Sequence, residues 1–146
     1  LETPPKGLPK VVEVDYIRAQ KYGGRRMLVP TPLIVAEQVR KVPRGRLVTI
    51  NQIRQKLARQ FRAQTTCPLT TGLFLKICAE VGEEDAAANR KRAIPYWRVL
   101  KKGGKLNPKY PGGIDLQAKR LAAEGHTIKR FKISAKVVDY EKKLII

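Results

Sequence analysis

Three consecutive stretches between Thr31 and Val81 repeat apolar residues at helical spacing, and each is bracketed by residues that start or stop helices. Thr31 followed by Pro32 is a helix start, because the hydroxyl can cap free amides while proline occupies a first turn that needs no donor. Leu33, Ala36, Val39 and Val42 then continue near helical spacing until Pro43 and Gly45 end the run. A short strand-like "RLVTI" leads into Thr49-Ile50-Asn51-Gln52, the pattern in which cap and third residue bond each other's amides. Ile53, Leu57 and Phe61 share one face of that second helix, which leaves Arg54, Lys56, Arg59 and Arg62 mostly outward. Pro68 opens a third helix, where Leu69, Leu73, Ile77 and Val81 recur every four residues and Thr71, Gly72, Leu75 and Lys76 take the opposite face. Two helices joined by a short turn and preceded by a third outline a helix-turn-helix unit, whose second helix usually enters a DNA groove. Small residues on the open face of the third helix admit two readings, close approach to a nucleic-acid backbone or packing against a neighbouring helix.

The flanks are patterned differently. Residues 1–30 carry Pro4, Pro5, Pro9, Gly23-Gly24 and Arg25-Arg26, and read as an extended, partly ordered arm with one strand-like piece, "VVEVDYI". Beyond the third helix, "EEDAAANRKR" reads as a helix end and surface loop. "AIPYWRVL" and the turn "KKGGKLNPKYPGG" follow, then a helix from about Ile114 to Glu124 closed by Gly125. Alternation over Ile128 to Val138 predicts one or two strands, a wing or edge hairpin.

Charge narrows the class. There are 31 Lys and Arg against 12 Asp and Glu, a formal net charge of +19, which points to a polyanion, nucleic acid before an anionic membrane surface. The competing reading is a merely basic soluble protein. Cys67 and Cys78 have no Cys-x-x-Cys spacing, so neither a disulfide framework nor a zinc site is expected. One histidine, His126, and no paired carboxylates offer little to metal or hydrolytic chemistry, and no cofactor is expected. His126 follows a helix-closing glycine and reads as a capping or surface residue. No apolar run approaches the roughly 20 residues of a membrane span, and "LETPPKGLPK" lacks a signal-peptide core. The expectation is an intracellular monomer, cytoplasmic or nucleoid-associated.

The order of motifs is more specific than the composition. A proline-started helix, "PRGRLVTINQIRQKLA", the small-residue helix around "TTG", then "IPYWRV", "YPGG" and "LAAEGH" follow one another over Thr31 to His126. This order resembles the DNA-binding, carboxy-terminal domain of the alkylguanine DNA alkyltransferases. The resemblance implies a mainly α fold with small β, a winged helix-turn-helix over residues 31–126, flanked by a basic arm (1–30) and a strand extension (127–146). It also implies double-stranded DNA as partner, minor-groove binding, extrusion of a damaged guanine and transfer of its alkyl group to a cysteine in a Pro-Cys-His-Arg motif. Here the matching positions are Pro95, Tyr96, Trp97 and Arg98. A phenol with reference pKa ~10 is a harder, poorer nucleophile than a thiolate, and an indole has no basic nitrogen to replace the histidine. The family's tyrosine before the second helix aligns with Ile50 and its base-extruding arginine with Pro68. The sequence is therefore similar to the non-catalytic, alkyltransferase-like branch, although that branch has tryptophan at the acceptor position and keeps the histidine.

From this resemblance the candidate pocket residues are Pro95, Tyr96, Trp97, Arg98, Tyr110 and Glu124. Candidate DNA contacts are Thr70, Thr71, Gly72 and Lys76 on the third helix, with Lys101, Lys102, Lys105, Lys109, Gly112 and Gly113 in the later turn. Tyr96 and Trp97 line a pocket where an unpaired base can stack, or Trp97 fills the space an active site has vacated. Cys67, beside a helix start, is the better placed of two substitute nucleophiles, since Cys78 adjoins the core side. The competing function is a general nucleic-acid binder, for RNA or a ribonucleoprotein.

Overall fold

The computed structural model describes residues 7–145, so Pro4 and Pro5 of the expected arm lie outside the described residues. Within it, the arm is folded. Strand β1 (Lys10–Glu13) leads to helix α1 (Tyr16–Tyr22), capped by the Asp15 side chain and closed by Gly23 in the left-handed region, φ 102°. Strand β2 (Arg26–Val29) returns antiparallel to β1. Leu28 reaches the main core with no exposed surface, which is why the segment is not extended.

The capping signals at Thr31 and Thr49 are realised. Thr31 Oγ1 accepts from the Ile34 amide at 3.2 Å to start helix α2 (Pro32–Arg40). Strand β3 (Val48–Thr49) ends on Thr49, whose hydroxyl accepts from the Gln52 amide at 3.2 Å while the Gln52 side chain accepts from the Thr49 amide at 2.9 Å. This closed pair starts helix α3 (Ile50–Gln60), which buries Ile53, Leu57 and Ala58. Strand β4 (Thr65–Thr66) runs parallel to β2 and completes a three-stranded sheet, β1-β2-β4. Arg54, expected to point outward, is half-buried. It donates to the Thr66 carbonyl at 2.8 Å and the Tyr22 carbonyl at 3.2 Å, tying α3 to the N-terminal unit.

Helix α4 (Pro68–Ala87) turns a different face inward from the one its leucine repeat predicts. The buried positions are Thr71, Phe74, Leu75, Cys78, Ala79 and Gly82, while Leu69 and Leu73 are 74% and 56% exposed. Aromatic bulk at Phe74 beside small residues lets α2 pack closely, and that fit outweighs the i, i+4 leucine pattern. A 3-10 turn over Tyr96–Arg98 then enters strand β5 (Val99–Leu100), parallel to β3. Helix α5 (Gly113–Ala123) follows, and the hairpin of β6 (Ile128–Arg130) and β7 (Ala135–Val137) matches the predicted strands. Leu47, Leu100, Leu121, Ala135 and Val137 form a second core between α5 and the hairpin. The chain end returns to it, with Leu144 bridging Leu47 and the Ile145 amide donating to the Leu47 carbonyl at 2.9 Å. Among the described residues no helix is long and apolar enough to cross a membrane, and no His, Cys, Asp and Glu group could hold a metal.

Candidate functional site

Pro95 and the 3-10 turn after it place Tyr96 and Trp97 on different sides of one wall. Tyr96 points inward and is fully buried. Its ring meets Trp97 and Tyr110 edge-on, each with centroids 5.3 Å apart, and its hydroxyl donates to Glu83 Oε1 at 2.7 Å. Gly82 makes room for it: a Cβ there would stand 2.4 Å from the Ile94 carbonyl oxygen and 3.1 Å from the Tyr96 ring. Burial first, and then the Glu83 carboxylate, push the phenol far above its ordinary pKa. Tyr96 therefore belongs to the packed wall and not to an open pocket surface.

Trp97 is half-buried, packed against apolar residues on one side and held by polar partners on another. Its Nε1 donates to Glu124 Oε2 at 2.8 Å, and the guanidinium carbons of Arg120 and Arg98 stand 5.4 and 5.6 Å from its ring centre. Arg98 holds Glu124 in a fork, Nε to Oε1 at 2.9 Å and Nη2 to Oε2 at 2.8 Å, and its Nη1 donates to the Val42 carbonyl at 2.7 Å. The Gly45 amide donates to Glu124 at 3.2 Å. Glu124 thus gathers the turn before β3, the Trp97 turn and the end of α5. Arg120 makes a second fork to Glu83, Nε at 2.6 Å and Nη2 at 2.5 Å. Tyr110 lies behind, buried, with its hydroxyl donating to the Val99 carbonyl at 3.4 Å. An open cavity of about 340 Å³ lies in front of Trp97, walled by Arg40, Arg92, Ala93, Pro95 and Arg98. The network exposes one aromatic edge rimmed by three guanidinium-bearing residues.

Three groups, His126 buried and Glu83 and Glu124 partly so, make this region acid-sensitive. Hydrogen bonds from Arg120, then Tyr96, hold the Glu83 carboxyl below the usual carboxylate range. Burial alone would raise Glu124, but the bonds from Arg98, Trp97 and Gly45 together hold it below that range too. Burial depresses His126, whose Nε2 is enclosed without a partner, and the charge of Glu124 only partly offsets this. All three bind protons more readily in the unfolded chain. Their stabilisation is therefore complete above the unfolded pKa values and is lost as pH falls, first for His126 below about 6.5 and then for the carboxylates below about 4.3. The urea midpoint is expected to hold above pH ~7, decline from ~6.5 and fall steeply below ~4.3; a profile flat between pH ~6.5 and ~4.5 would contradict the burial of neutral His126, and one still flat at pH ~3 would contradict the carboxylate pairing.

The proposed DNA contacts separate into two groups. Thr71 is fully buried and its hydroxyl donates to the Cys67 carbonyl at 2.7 Å, so its small size serves packing. Thr70 is half-exposed, donating to Cys67 Sγ at 3.1 Å. Gly72 and Lys76 face solvent on α4, and a Cβ at Gly72 would meet open space. Lys101, Lys102, Lys105 and Lys109 are exposed around the turn. Gly112 and Gly113 have φ of 72° and 63° at the start of α5, where a Cβ on Gly112 would strike Leu116 at 2.5 Å. Both cysteines are buried: Cys67 packs with Val14 and Met27, and Cys78 lies in the main core, where burial pushes its thiol up to about 11. His126, expected as a capping or surface residue, is buried, and its amide donates to the Leu121 carbonyl at 3.2 Å, which closes the end of α5 as a cap does. The Glu83–Arg120 pair was not foreseen from the sequence, where "EEDAAANRKR" reads as surface.

The architecture is a helix-rich domain with small sheets, and it recurs in solved protein–DNA complexes. S. pombe Atl1 in complex with damaged DNA containing O6-carboxymethylguanine has a TM-score of 0.52 at 18% identity, over 79% of this chain and 94% of that one. S. pombe ATL in complex with DNA has a TM-score of 0.54 at 15% identity, with the same coverage. The chain belongs to the 6-O-methylguanine DNA methyltransferase, DNA binding domain family, whose model matches residues 32–126. No curated protein sequence matches it.

Proposed function

We propose that the protein binds double-stranded DNA as a monomer and reads alkylated or unpaired guanine without removing the alkyl group. The observation that carries the non-enzymatic part is the acceptor position. A nucleophile must be exposed and deprotonated, whereas the Tyr96 hydroxyl is sealed from solvent, committed to Glu83 and made less acid by burial. Cys78, one turn before Gly82 on α4, has no exposed surface and a thiol pushed up to about 11 by burial, so it does not supply an exposed thiolate in its place. DNA as partner is supported by the family, by the net charge of +19 and by complexes of both similar structures, which contain DNA and not RNA. Exposed Gly72 and Lys76 on α4 with the lysines of the 101–109 turn would hold the backbone, and the cavity at Trp97 would receive the base against an aromatic edge. A DNA partner puts the protein inside the cell, in the cytoplasm or on the nucleoid.

Incubation with duplex DNA carrying radiolabelled O6-methylguanine should leave the protein unlabelled, and stoichiometric uptake of label would refute the non-enzymatic reading. Competition between duplexes with and without the modified guanine should favour the modified one. Equal affinity would remove lesion reading and leave general DNA binding, and preference for an RNA competitor would remove DNA.

A further inference from the structure

The hairpin beyond the family-matched segment adds two lysines, Lys129 and Lys136, that the candidate site does not use, to the candidate contacts Lys101 and Lys105. In the β6–β7 register Lys129 stands directly opposite Lys136. Lys136 is in turn bridged to Lys105, and Lys105 to Lys101, so four neighbouring backbone segments each present a lysine at the paired position. Residues paired across strands project from the same face. The alternate positions, Ala135 and Val137, are 0% and 1% exposed and belong to the second core, so the lysine row takes the solvent face. None of the four forms an ion pair among the described residues. Like charges directly opposite one another destabilise a strand pair, so the row works against the hairpin unless an anion lies along it.

We infer that the row Lys129, Lys136, Lys105 and Lys101 is a track for the phosphates of duplex DNA, which makes the hairpin a second grip outside the matched domain. At ~4.8 Å between strands the row spans about 14 Å, and at ~3.4 Å of axis per phosphate this is about four phosphates of one DNA strand. The track joins the site covalently, because Lys101 follows β5, which continues from Trp97 and Arg98. Lys101 is three residues from Arg98, within about 11 Å along the chain, so a rigid polyanion lying before the Trp97 cavity is within reach of the start of the row. At the far end the hairpin tip exposes Phe131 (47%) and Ile133 (89%), with Lys129 Nζ 5.5 Å from the Phe131 ring centre. Apolar residues of this kind serve as wedges in proteins that bind the minor groove. This inference rests on the DNA-binding reading above.

The test is duplex binding by the full chain between 50 and 200 mM salt, comparing wild type, Lys129→Ala with Lys136→Ala, and a charge-matched control, Lys10→Ala with Lys21→Ala. Losing two phosphate contacts should make the salt slope shallower by about 1.8, so that the wild-type advantage shrinks about 12-fold across that range. The melting temperature without DNA should not fall, since a repulsive pair is removed. An unchanged slope in the hairpin variant, or the same loss in the control, overturns the track while DNA binding itself stands. Absence of wild-type binding to any duplex overturns the DNA reading and the track with it. Binding of wild type to phosphatidylglycerol vesicles that is lost in the hairpin variant, with duplex binding unaffected, assigns the row to a membrane surface and overturns the proposal.

Discussion

Replacing Glu124 by alanine is expected to destabilise the fold by about 3–5 kcal/mol, the range for removing one partner of a buried ion pair. The Glu124 side chain is 4% exposed and that of Arg98 13%, so water replaces the lost partner only where Arg98 meets the open cavity. Arg98 would keep one acceptor, the Val42 carbonyl, while Trp97 Nε1 and the Gly45 amide would each lose theirs. The loss is larger than that of a surface pair because donors from two separate parts of the chain, Gly45 and the Trp97-Arg98 turn, converge on one carboxylate. Urea unfolding measures it, and a loss under ~1 kcal/mol would mean that the pair behaves as a surface salt bridge. Glu124→Gln preserves shape but supplies one acceptor oxygen for the fork, so it should fall between the two.

The second large effect is at Tyr96. Tyr96→Ala should cost about 3–5 kcal/mol, as other buried aromatic truncations do. The cavity would open between Gly82, Trp97 and Tyr110, whose positions are set by that ring. Tyr96→Phe separates packing from polarity: it keeps the ring and removes one donor to a carboxylate, so about 1.5–3 kcal/mol is expected. If the phenylalanine variant were as unstable as the alanine one, the hydroxyl and not the ring would be holding the wall.

The elements best legible in the sequence were those announced by local chemistry. Thr31 with Pro32, Thr49 with Gln52, and Gly125 each act within one turn of the backbone, and each marks its helix end as expected. What depended on distant partners was less legible. Leu69 and Leu73 imitate a core face, but which face of α4 is buried was decided by its fit to α2. Helix α1 was missed because it has seven residues and buries none, leaving no apolar stripe to read. At the site, the motif order located Pro95 to Arg98, and Glu124 was placed beside them by resemblance. The inward turn of Tyr96 could not be read, since it depends on the absence of a side chain at Gly82, fourteen positions earlier. Glu83 and Arg120 lie on separate helices, and nothing local in either helix announces their pairing.

Both flanks of the recognisable segment close its interior. Leu28 comes from before residue 32, and Ala135, Val137 and Leu144 from after residue 126, yet all four pack into the two cores. A fragment trimmed to the matched boundaries would therefore lose a sheet partner at one end and a lid at the other. The cooperative folding unit is wider than the evolutionary signature it carries, and the natural cut points for any excised piece lie outside both flanks.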